Sequence, residues 1–280
     1  MHFDEIIASN IFLLFSEPQF EALASSGLDP AKSQLLSKID DFANAEIAQG
    51  VIRDADSFSA WLTNSLFYLQ HTKGTSFCED SAISSKADDQ INDMVYHSIR
   101  RLQSCALINV DDNCGQIFPL EASSIMSNHL VDFDAMRIIV DVASDATQVQ
   151  LLRAICDVEG LHRPVRRAEK RVLNELHKSI KYKLEGPPSK VRVQHPWQKT
   201  FVLLQTGIDN LPLEGEYALT QEMRSMGDFA SRICAFVEQY AARASGSGNL
   251  AAQALKLRRA IHTKMWSTEN GVLNQFSTRK

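Results

Sequence analysis

The sequence predicts a mainly α-helical protein with a single short β-hairpin near the middle of the chain. Apolar residues recur at helical spacing through most of the 280 residues. Two strand-like segments, 106–110 and 116–119, flank a turn at 111–113 and predict the hairpin. Hydrophobic residues make up 44% and charged residues 22%, the balance of a globular protein. No apolar run reaches the ~18 residues of a membrane span, so we expect two globular domains and no membrane partner.

Three helices are predicted before the hairpin. The first opens at Asp29-Pro30 and ends at Gly50, and the second is capped by Asp56-Ser57. The third covers residues 91–104. Between the second and third helices, residues 72–90 are rich in Ser, Asp and Lys, which predicts an exposed loop.

Three helices followed by a hairpin is the order of a winged helix, and we assign residues 29–127 to this arrangement. A further helix from Leu120 to about Asp141 leads out of it. Breaks rich in Gly, Pro and Ser divide the remaining chain into a helical bundle, with Pro196 marking one turn. Five helices are predicted in the bundle, around residues 151–156, 172–176, 200–207, 220–240 and 249–266, the last capped by Asn249.

The two halves of the chain carry opposite charge. Residues 1–150 hold 8 Lys and Arg against 22 Asp and Glu, whereas residues 151–280 hold 21 against 12. The overall charge of -5 therefore conceals a net -14 in the first half and +9 in the second. Such a split suggests that the basic half faces a polyanion. Mutual attraction between the two halves is an equally good explanation at this point.

The amphipathic helix predicted at 220–240 is the strongest candidate for a binding surface. One face is apolar, and the opposite face carries Arg224 and Arg232. Arginine binds phosphates and stacks on bases, and the small neighbours Ser231 and Ala235 would let a strand approach closely. The alternative is an ordinary bundle helix with a solvated polar face.

A second basic cluster lies at the start of the predicted bundle. Its density of cations predicts contact with phosphates. The alternative is a solvated helix side whose cations pair with Glu169 and Glu175. The cluster consists of Arg163, Arg166, Arg167, Lys170 and Arg171.

Patterns for catalysis and metal binding are absent from the sequence. The phosphate-cradling loop G-x-x-x-x-G-K-[ST] has no match, because no Gly-Lys pair occurs. The histidines lack the spacing of a zinc protease, and the five cysteines are scattered. We therefore expect no catalytic residue, no metal site and no ATP hydrolysis by this chain alone. Buried free thiols, and with them a reducing compartment, are the expected state of the cysteines.

Six segments with a shared order carry a resemblance to a known family. They are 42–47, 61–69, 120–127, 166–176, 218–233 and 257–266. Together they span about residues 30–275 and resemble the C-terminal part of the HFM/Mer-type meiotic DNA helicases. These enzymes belong to the Ski-two-like branch of helicase superfamily two.

The resemblance implies a winged helix followed by a Sec-63-type helical bundle, with the ATP-hydrolysing motor domains outside this chain. Residues 1–28 would be a remnant or linker after the motor, and residues 128–280 the connector and bundle. The chain would end before the family's helix-hairpin-helix and β-sandwich portions are complete. The family usually has Thr and Gly where this chain has Leu120 and Ser123, so the cap of that helix is expected to differ.

The resemblance also implies roles for individual residues. The helix at about 220–241 is similar to the family's ratchet helix, on which Arg224, Ser225 and Arg232 occupy positions that contact a single strand. Related archaeal helicases have an aromatic residue at the position of Arg232, which favours a guanidinium contact here over base stacking. The residues expected near the nucleic-acid backbone are Arg166, Arg167, Lys170 and Arg171.

The function implied is a DNA-guiding accessory region of an ATP-dependent 3′-to-5′ helicase of meiotic recombination, in the nucleus. Its partners would be single-stranded or branched DNA and the motor domains, in cis or in trans. ATP and magnesium would bind those motor domains rather than this chain. The alternative is a motor-less protein-interaction scaffold, like the catalytically silent cassette of the spliceosomal relatives. A membrane-bound Sec-63 translocation protein is disfavoured, since no membrane span or J-domain-like motif is present.

Overall fold

The computed structural model describes residues 33–68, 81–185, 192–213 and 215–266. These residues are mainly helical, as predicted, with one two-stranded sheet among them. The strands are β1 (Ile108–Val110) and β2 (Ile117–Pro119). The helices are α1 (Ile39–Ala48), α2 (Ala55–Thr63), α3 (Ser81–Ser104), α4 (Glu121–Asn128), α5 (Phe133–Val140), α6 (Gln148–Cys156), α7 (Lys170–Ser179), α8 (Pro196–Ile208), α9 (Tyr217–Arg243) and α10 (Gly248–Thr263).

The first four helices and the hairpin form one unit, called here the hairpin unit. α1 packs against α3 and α4, and α2 packs against α3. The strands are antiparallel, with Ile108 opposite Pro119. The Ile117 amide donates to the Arg53 carbonyl at 2.6 Å, which ties the hairpin to the segment before α2. This element order matches the predicted one, whereas the assignment of residues 29–127 to a winged helix stays a prediction.

Side-chain caps set several helix starts. α2 begins two residues earlier than predicted, because the Asp54 carboxylate accepts from the Ser57 amide at 2.7 Å and the Ser57 hydroxyl accepts from the Asp54 amide at 3.0 Å. This reciprocal pair is a capping box. At the start of α4, in contrast, Leu120 provides no side-chain cap. The expected departure from the family's cap at this position stays a prediction.

Two predicted boundaries in the hairpin unit are wrong. α3 already begins at Ser81, so the loop predicted at 72–90 is incorrect from that residue onward. Its low apolar content was misleading, since a long helix needs only a narrow buried stripe in one part of its length. The single helix predicted at 120–141 is in fact α4 and α5. Leu130 breaks it with φ 51°, a conformation that Gly or Asn usually adopts, and Asp132 caps α5.

Two boundaries in the bundle also differ. Pro196 is the first residue of α8 rather than a turn, a position where its missing N–H costs nothing. α10 is capped by the Ser247 hydroxyl, which accepts from the Leu250 amide at 3.2 Å. Asn249, the predicted cap, instead donates from its side chain to the Ser144 carbonyl at 3.2 Å. α10 ends at Thr263, three residues short of the prediction.

The cysteines are mostly buried. Cys105, Cys156 and Cys234 are buried free thiols, as predicted, whereas Cys114 is exposed in the hairpin turn and contradicts the prediction. Burial raises the pKa of the Cys234 thiol to about 12 and holds the pKa of Cys156 well above its ordinary value. Both thiols are therefore protonated and unreactive at neutral pH. Cys78 lies outside the described residues.

α9 joins the hairpin unit to the bundle. It packs against α4, α8, α10 and the 3-10 turn Glu159–Leu161. The Phe236 ring meets the His129 ring edge to face, with centroids 6.3 Å apart, and Arg243 forms an ion pair with Glu121. Each fully buried Leu, Ile or Phe side chain contributes about 1.5–3 kcal/mol. The position of α9 is therefore fixed from several sides, and with it the orientation of its polar face. None of the helices in the described ranges is long and apolar enough to cross a membrane.

Candidate nucleic-acid interface

α9 presents the predicted amphipathic pattern. Met226, Ile233, Phe236 and Val237 are buried on its apolar face. Arg224 and the other exposed residues lie on the opposite side of the helix. Two turns separate Arg224 from Arg232, so both arginines project from the same side of one rigid element. The exposed members of this polar side are Gln221, Arg224, Ser225 and Asp228.

Arg224 and Ser225 are open to solvent. Within the described part of the chain, Arg224 has no ion-pair partner, although Asp228 follows it by one turn. Its side chain lines a cavity between α8, α9 and α10. A guanidinium that no carboxylate neutralises can bind a phosphate without first breaking an internal contact.

Arg232 is half-buried and lies beside an aromatic ring. Its guanidinium carbon is 4.6 Å from the centroid of the Phe229 ring, a cation–π distance worth about 0.5–1 kcal/mol at a partly exposed site. The Nε of Arg232 is buried and has no hydrogen-bond partner in the described structure. The contact with the Phe229 ring therefore helps to hold the Arg232 side chain on this side of α9.

The comparison with protein families decides the identity of this bundle. The family model of the Sec63 Brl domain matches residues 119–276, more than half of the chain. The chain belongs to the Sec63 Brl family. The match covers α4 to α10, and therefore includes α9 and the whole basic cluster. The family resemblance inferred from the sequence is confirmed.

The curated relatives are much longer than this Sec63 Brl chain. It is 26% identical over 260 residues to an ATP-dependent DNA helicase MER3 homolog of Oryza sativa, covering 90% of this chain and 22% of the relative. It is 29% identical over 251 residues to an activating signal cointegrator 1 complex subunit 3-like protein of Dictyostelium discoideum, covering 88% and 11%. It is 25% identical over 245 residues to the human U5 small nuclear ribonucleoprotein 200 kDa helicase, covering 85% and 11%. The chain thus spans between a tenth and a quarter of each.

A buried ion network holds the start of α9 to the rest of the Sec63 Brl bundle. Lys199 on α8 is fully buried, and its Nζ lies 2.7 Å from Glu169 Oε2 and 2.6 Å from Glu222 Oε2. Arg166 reaches the same two carboxylates, with N···O distances of 3.1 Å to Glu169 and 3.4 Å to Glu222. The Lys199 ammonium also donates to the Pro164 carbonyl at 3.1 Å. Two positive and two negative groups balance, as buried charges require.

This network changes the interpretation of Arg166. The sequence analysis placed Arg166 near the nucleic-acid backbone, with pairing to Glu169 as the alternative. The ion pairs with Glu169 and Glu222 correspond to that alternative for this residue. Arg163 already makes internal hydrogen bonds, because one guanidinium nitrogen donates to the Gly160 and His162 carbonyls.

The rest of the basic cluster is exposed. Arg167, Lys170 and Arg171 have no ion-pair partner among the described residues, and the pairing with Glu175 considered from the sequence does not form there. Lys170 and Arg171 are the first two residues of α7, which has no acid in its first turn, although Glu169 precedes it and pairs with Lys199 and Arg166. Cations at a helix N-terminus oppose the helix dipole at a cost of about 0.3–1 kcal/mol each. A bound polyanion would offset this cost, which favours phosphate contact for these three side chains.

The sequence analysis missed Lys199, His262 and Lys264. Lys199 lies in a segment, Pro196–Ile208, whose other residues are mostly apolar. A single lysine in such a segment was the one sign in the sequence that it is buried and paired. His262 and Lys264 belong to the end of α10, yet the fold brings them to the Arg224 side of α9. Their proximity depends on α9 and α10 packing together, which spacing along the chain does not specify. No group of three or more metal-ligating side chains occurs in the part of the chain that the structure describes.

Gly160 sets the position of Phe229 and, through it, of Arg232. A Cβ at Gly160 would lie 2.9 Å from the Phe229 ring, too close for an ordinary contact. We expect Gly160→Ala to displace the ring and lower the free energy of unfolding by about 1–3 kcal/mol. Urea denaturation measures the effect, with Gly248→Ala as the matched control, because a Cβ there meets nothing within 4 Å. Equal stability of the two variants would contradict the expectation.

Proposed function

We propose that this chain is a nucleic-acid-guiding accessory region of an ATP-dependent DNA helicase. The observation that carries the proposal is the polar side of α9, where Arg224 and Arg232 have no acidic partner among the described residues. Both lie within the Sec63 Brl match. In this proposal the two arginines bind the tracking strand, Ser225 makes a lesser contact, and Arg167, Lys170 and Arg171 lie near the backbone. Arg166 holds α9 in place.

We further propose that the helicase is of the meiotic recombination type, moves 3′ to 5′ and acts in the nucleus on single-stranded or branched DNA. The supporting observation is the similarity to the rice MER3 homolog, whose name describes an ATP-dependent DNA helicase. ATP and magnesium would bind motor domains supplied in cis or in trans. Residues 29–127 would act as a winged helix that braces the motor, and residues 1–28 as a linker. The acidic charge of the first half suits a basic docking surface on that motor.

The test is fluorescence anisotropy of a labelled single-stranded DNA titrated with the whole chain across a salt series. We expect Arg224→Ala/Arg232→Ala to weaken binding by about 30- to 900-fold, since each of the two charged contacts contributes about 1–2 kcal/mol. The dependence of log K on log salt should also become shallower by about 1.4, the value for two lost phosphate contacts on a single strand.

The matched control is Arg100→Ala/Arg137→Ala. Arg100 lies on α3 and Arg137 on α5, and both are exposed, so the control removes the same charge from a surface that the proposal does not use. Binding by the control should stay within about twofold of the parent protein, as expected for distant surface charges. Equal losses in the two double variants would show a general charge effect and contradict a role for α9.

A protein-interaction scaffold is the second candidate. The similarity to the human U5 helicase and to the Dictyostelium signal-cointegrator subunit favours it, because both names describe components of larger assemblies. The same titration separates the two candidates. No binding at low salt by a chain whose circular dichroism spectrum is helical would reject strand guiding for this chain and leave the scaffold.

A further inference from the structure

A cavity of about 550 Å³ lies beside the strand-facing side of α9. It is formed by the end of α8, the first half of α9 and the end of α10, with the connecting residues 210–213 along one edge. Pockets that hold small organic groups have volumes of about 300–1,000 Å³. The cavity is therefore of a size to admit one nucleotide-sized group.

The lining divides into apolar and charged parts. The half-buried side chains of Leu211, Met223 and Ile261 supply apolar surface. Arg224 and Lys264 bring two positive charges to the same cavity. Both cations are exposed, and neither has an ion-pair partner in the described ranges. An apolar wall beside two free cations matches a nucleotide, which has a base with a flat apolar face and a phosphate with a negative charge.

His262 extends this lining from α10 to α9. Its Nε2 lies 2.8 Å from the Ser231 hydroxyl oxygen, a hydrogen bond across the cavity's edge. The bond fixes the end of α10 against α9, close to Lys264. Asp228 is the opposing charge in the lining, so the net charge of the cavity, with His262 neutral, is +1.

The backbone of Lys264 gives an independent reason to assign it a binding role. Lys264 ends α10 in the left-handed conformation, with φ 53° and ψ 41°. Glycine is the usual residue at this position, because a side chain there is strained by roughly 1 kcal/mol. The strain of this backbone conformation reduces stability, and the exposed Lys264 side chain is available to a ligand.

We propose that this cavity holds one nucleotide of the bound strand, with its phosphate on Arg224 and Lys264 and its base against Leu211 and Met223. The inference rests on the proposed function and deepens it. It adds Lys264 and His262 of α10 to an interface that sequence reasoning confined to α9 and the basic cluster. The strand would then cross from α9 to the end of α10 rather than follow α9 alone.

Lys264→Gly provides a sharp test, because it should leave stability unchanged or higher while it weakens DNA binding. Glycine relieves the left-handed strain, so the unfolding temperature should rise or stay the same. Binding of a labelled thymidine oligonucleotide should nevertheless weaken about three- to tenfold, and the salt dependence should become shallower by about 0.7. The matched control is Lys256→Ala, which removes an exposed lysine of α10 that does not line the cavity.

Asp228→Asn tests the charge of the cavity in the other direction. Removing this carboxylate should strengthen binding by up to about fivefold, the range of a partly screened charge pair. A role confined to folding would not give tighter binding. Met223→Trp, which fills the cavity, should weaken binding of the thymidine oligonucleotide more than binding of an oligonucleotide with abasic sites.

The outcomes separate this inference from the proposed function. If Arg224→Ala/Arg232→Ala weakens binding while Lys264→Gly and Asp228→Asn leave it unchanged, the nucleotide cavity is wrong and strand guiding by α9 stands. If the double arginine variant binds as well as the parent, the proposed function fails and the cavity inference falls with it. Weaker binding by Lys264→Gly, with Lys256→Ala unchanged, supports the cavity.

Discussion

Replacing Lys199 with methionine is expected to lower the free energy of unfolding by about 3–5 kcal/mol, the cost of removing one partner from a buried ion pair. The fully buried ammonium contacts Glu169 and Glu222 at 2.7 and 2.6 Å. Without it, Glu169 and Glu222 would keep Arg166 as their one ion-pair partner among the described residues. In a protein of this size, such a loss corresponds to a fall in unfolding temperature of roughly 6–20 °C.

The design of the experiment separates charge from packing. Methionine keeps an unbranched apolar chain of similar length, so a packing defect contributes little. Lys199→Met/Glu222→Gln should recover part of the lost stability, because one uncompensated carboxylate is removed. Lys256→Met is the control for an exposed lysine on the bundle and should change stability by less than about 0.5 kcal/mol. If Lys199→Met were as stable as this control, the ion network would not contribute to the stability of the fold.

The same network connects stability to the interface. Glu222 lies on α9 two residues before Arg224, while Glu169 follows Arg166 in the basic cluster. Loss of Lys199 should therefore loosen the start of α9 as well as the start of α7. This places Lys199 among the positioning residues of the interface, since it reaches the strand-facing arginines through Glu222.

Periodicity was sufficient to predict the helical class and the amphipathic face of α9. A 27-residue helix repeats its pattern many times, and each repeat points to the same face. The hairpin was also predictable, since strand-like segments flank a turn rich in Asp and Asn. These features are local, so the residues that form them are neighbours in the chain.

The predicted helix boundaries were wrong where a residue adopts a backbone conformation that its type rarely takes. Leu130 and Lys264 have positive φ without being glycine, so the sequence carries no sign of the breaks that they make. The start of α3 was predicted too late for a different reason. The first residues of this helix are mostly polar, and its buried stripe begins only further along. In each case packing elsewhere decides the backbone, and local propensity is overridden.

Some residues of the candidate site could be predicted from the sequence and others could not. Arg224, Ser225 and Arg232 could be named because they share one helix face. The pairing of Arg166 with Glu169 was the alternative drawn from the sequence. The contact of Arg166 with Glu222 could not be predicted, since Glu222 is 56 positions away in the chain and Lys199 comes from a third element. Contacts between distant segments depend on how helices pack, which a single sequence does not display.

Truncating Phe236 is expected to have a comparably large effect at the other end of α9. Its side chain is fully buried, stacks on Tyr240 with ring centroids 5.9 Å apart and meets the His129 ring beyond α4. Phe236→Ala should lower the free energy of unfolding by about 3–5 kcal/mol, the usual cost of deleting a buried aromatic ring. Phe236→Leu keeps most of the volume and should cost less than about 1.5 kcal/mol.

Phe236→Ala should also change the cooperativity with which the whole chain unfolds. The buried residues of the hairpin unit and the bundle form one continuous core, so Trp61 in the first and Trp197 in the second should report one unfolding transition in the parent protein. Single-tryptophan versions of Phe236→Ala should instead show separate urea midpoints, because the contact between α9 and α4 is weakened while each unit keeps its own core. Coincident midpoints in the variant would show that Phe236 contributes stability without coupling the two units. Separate midpoints already in the parent would show that α9 does not couple the units at all, and strand binding by the bundle would then be independent of the hairpin unit.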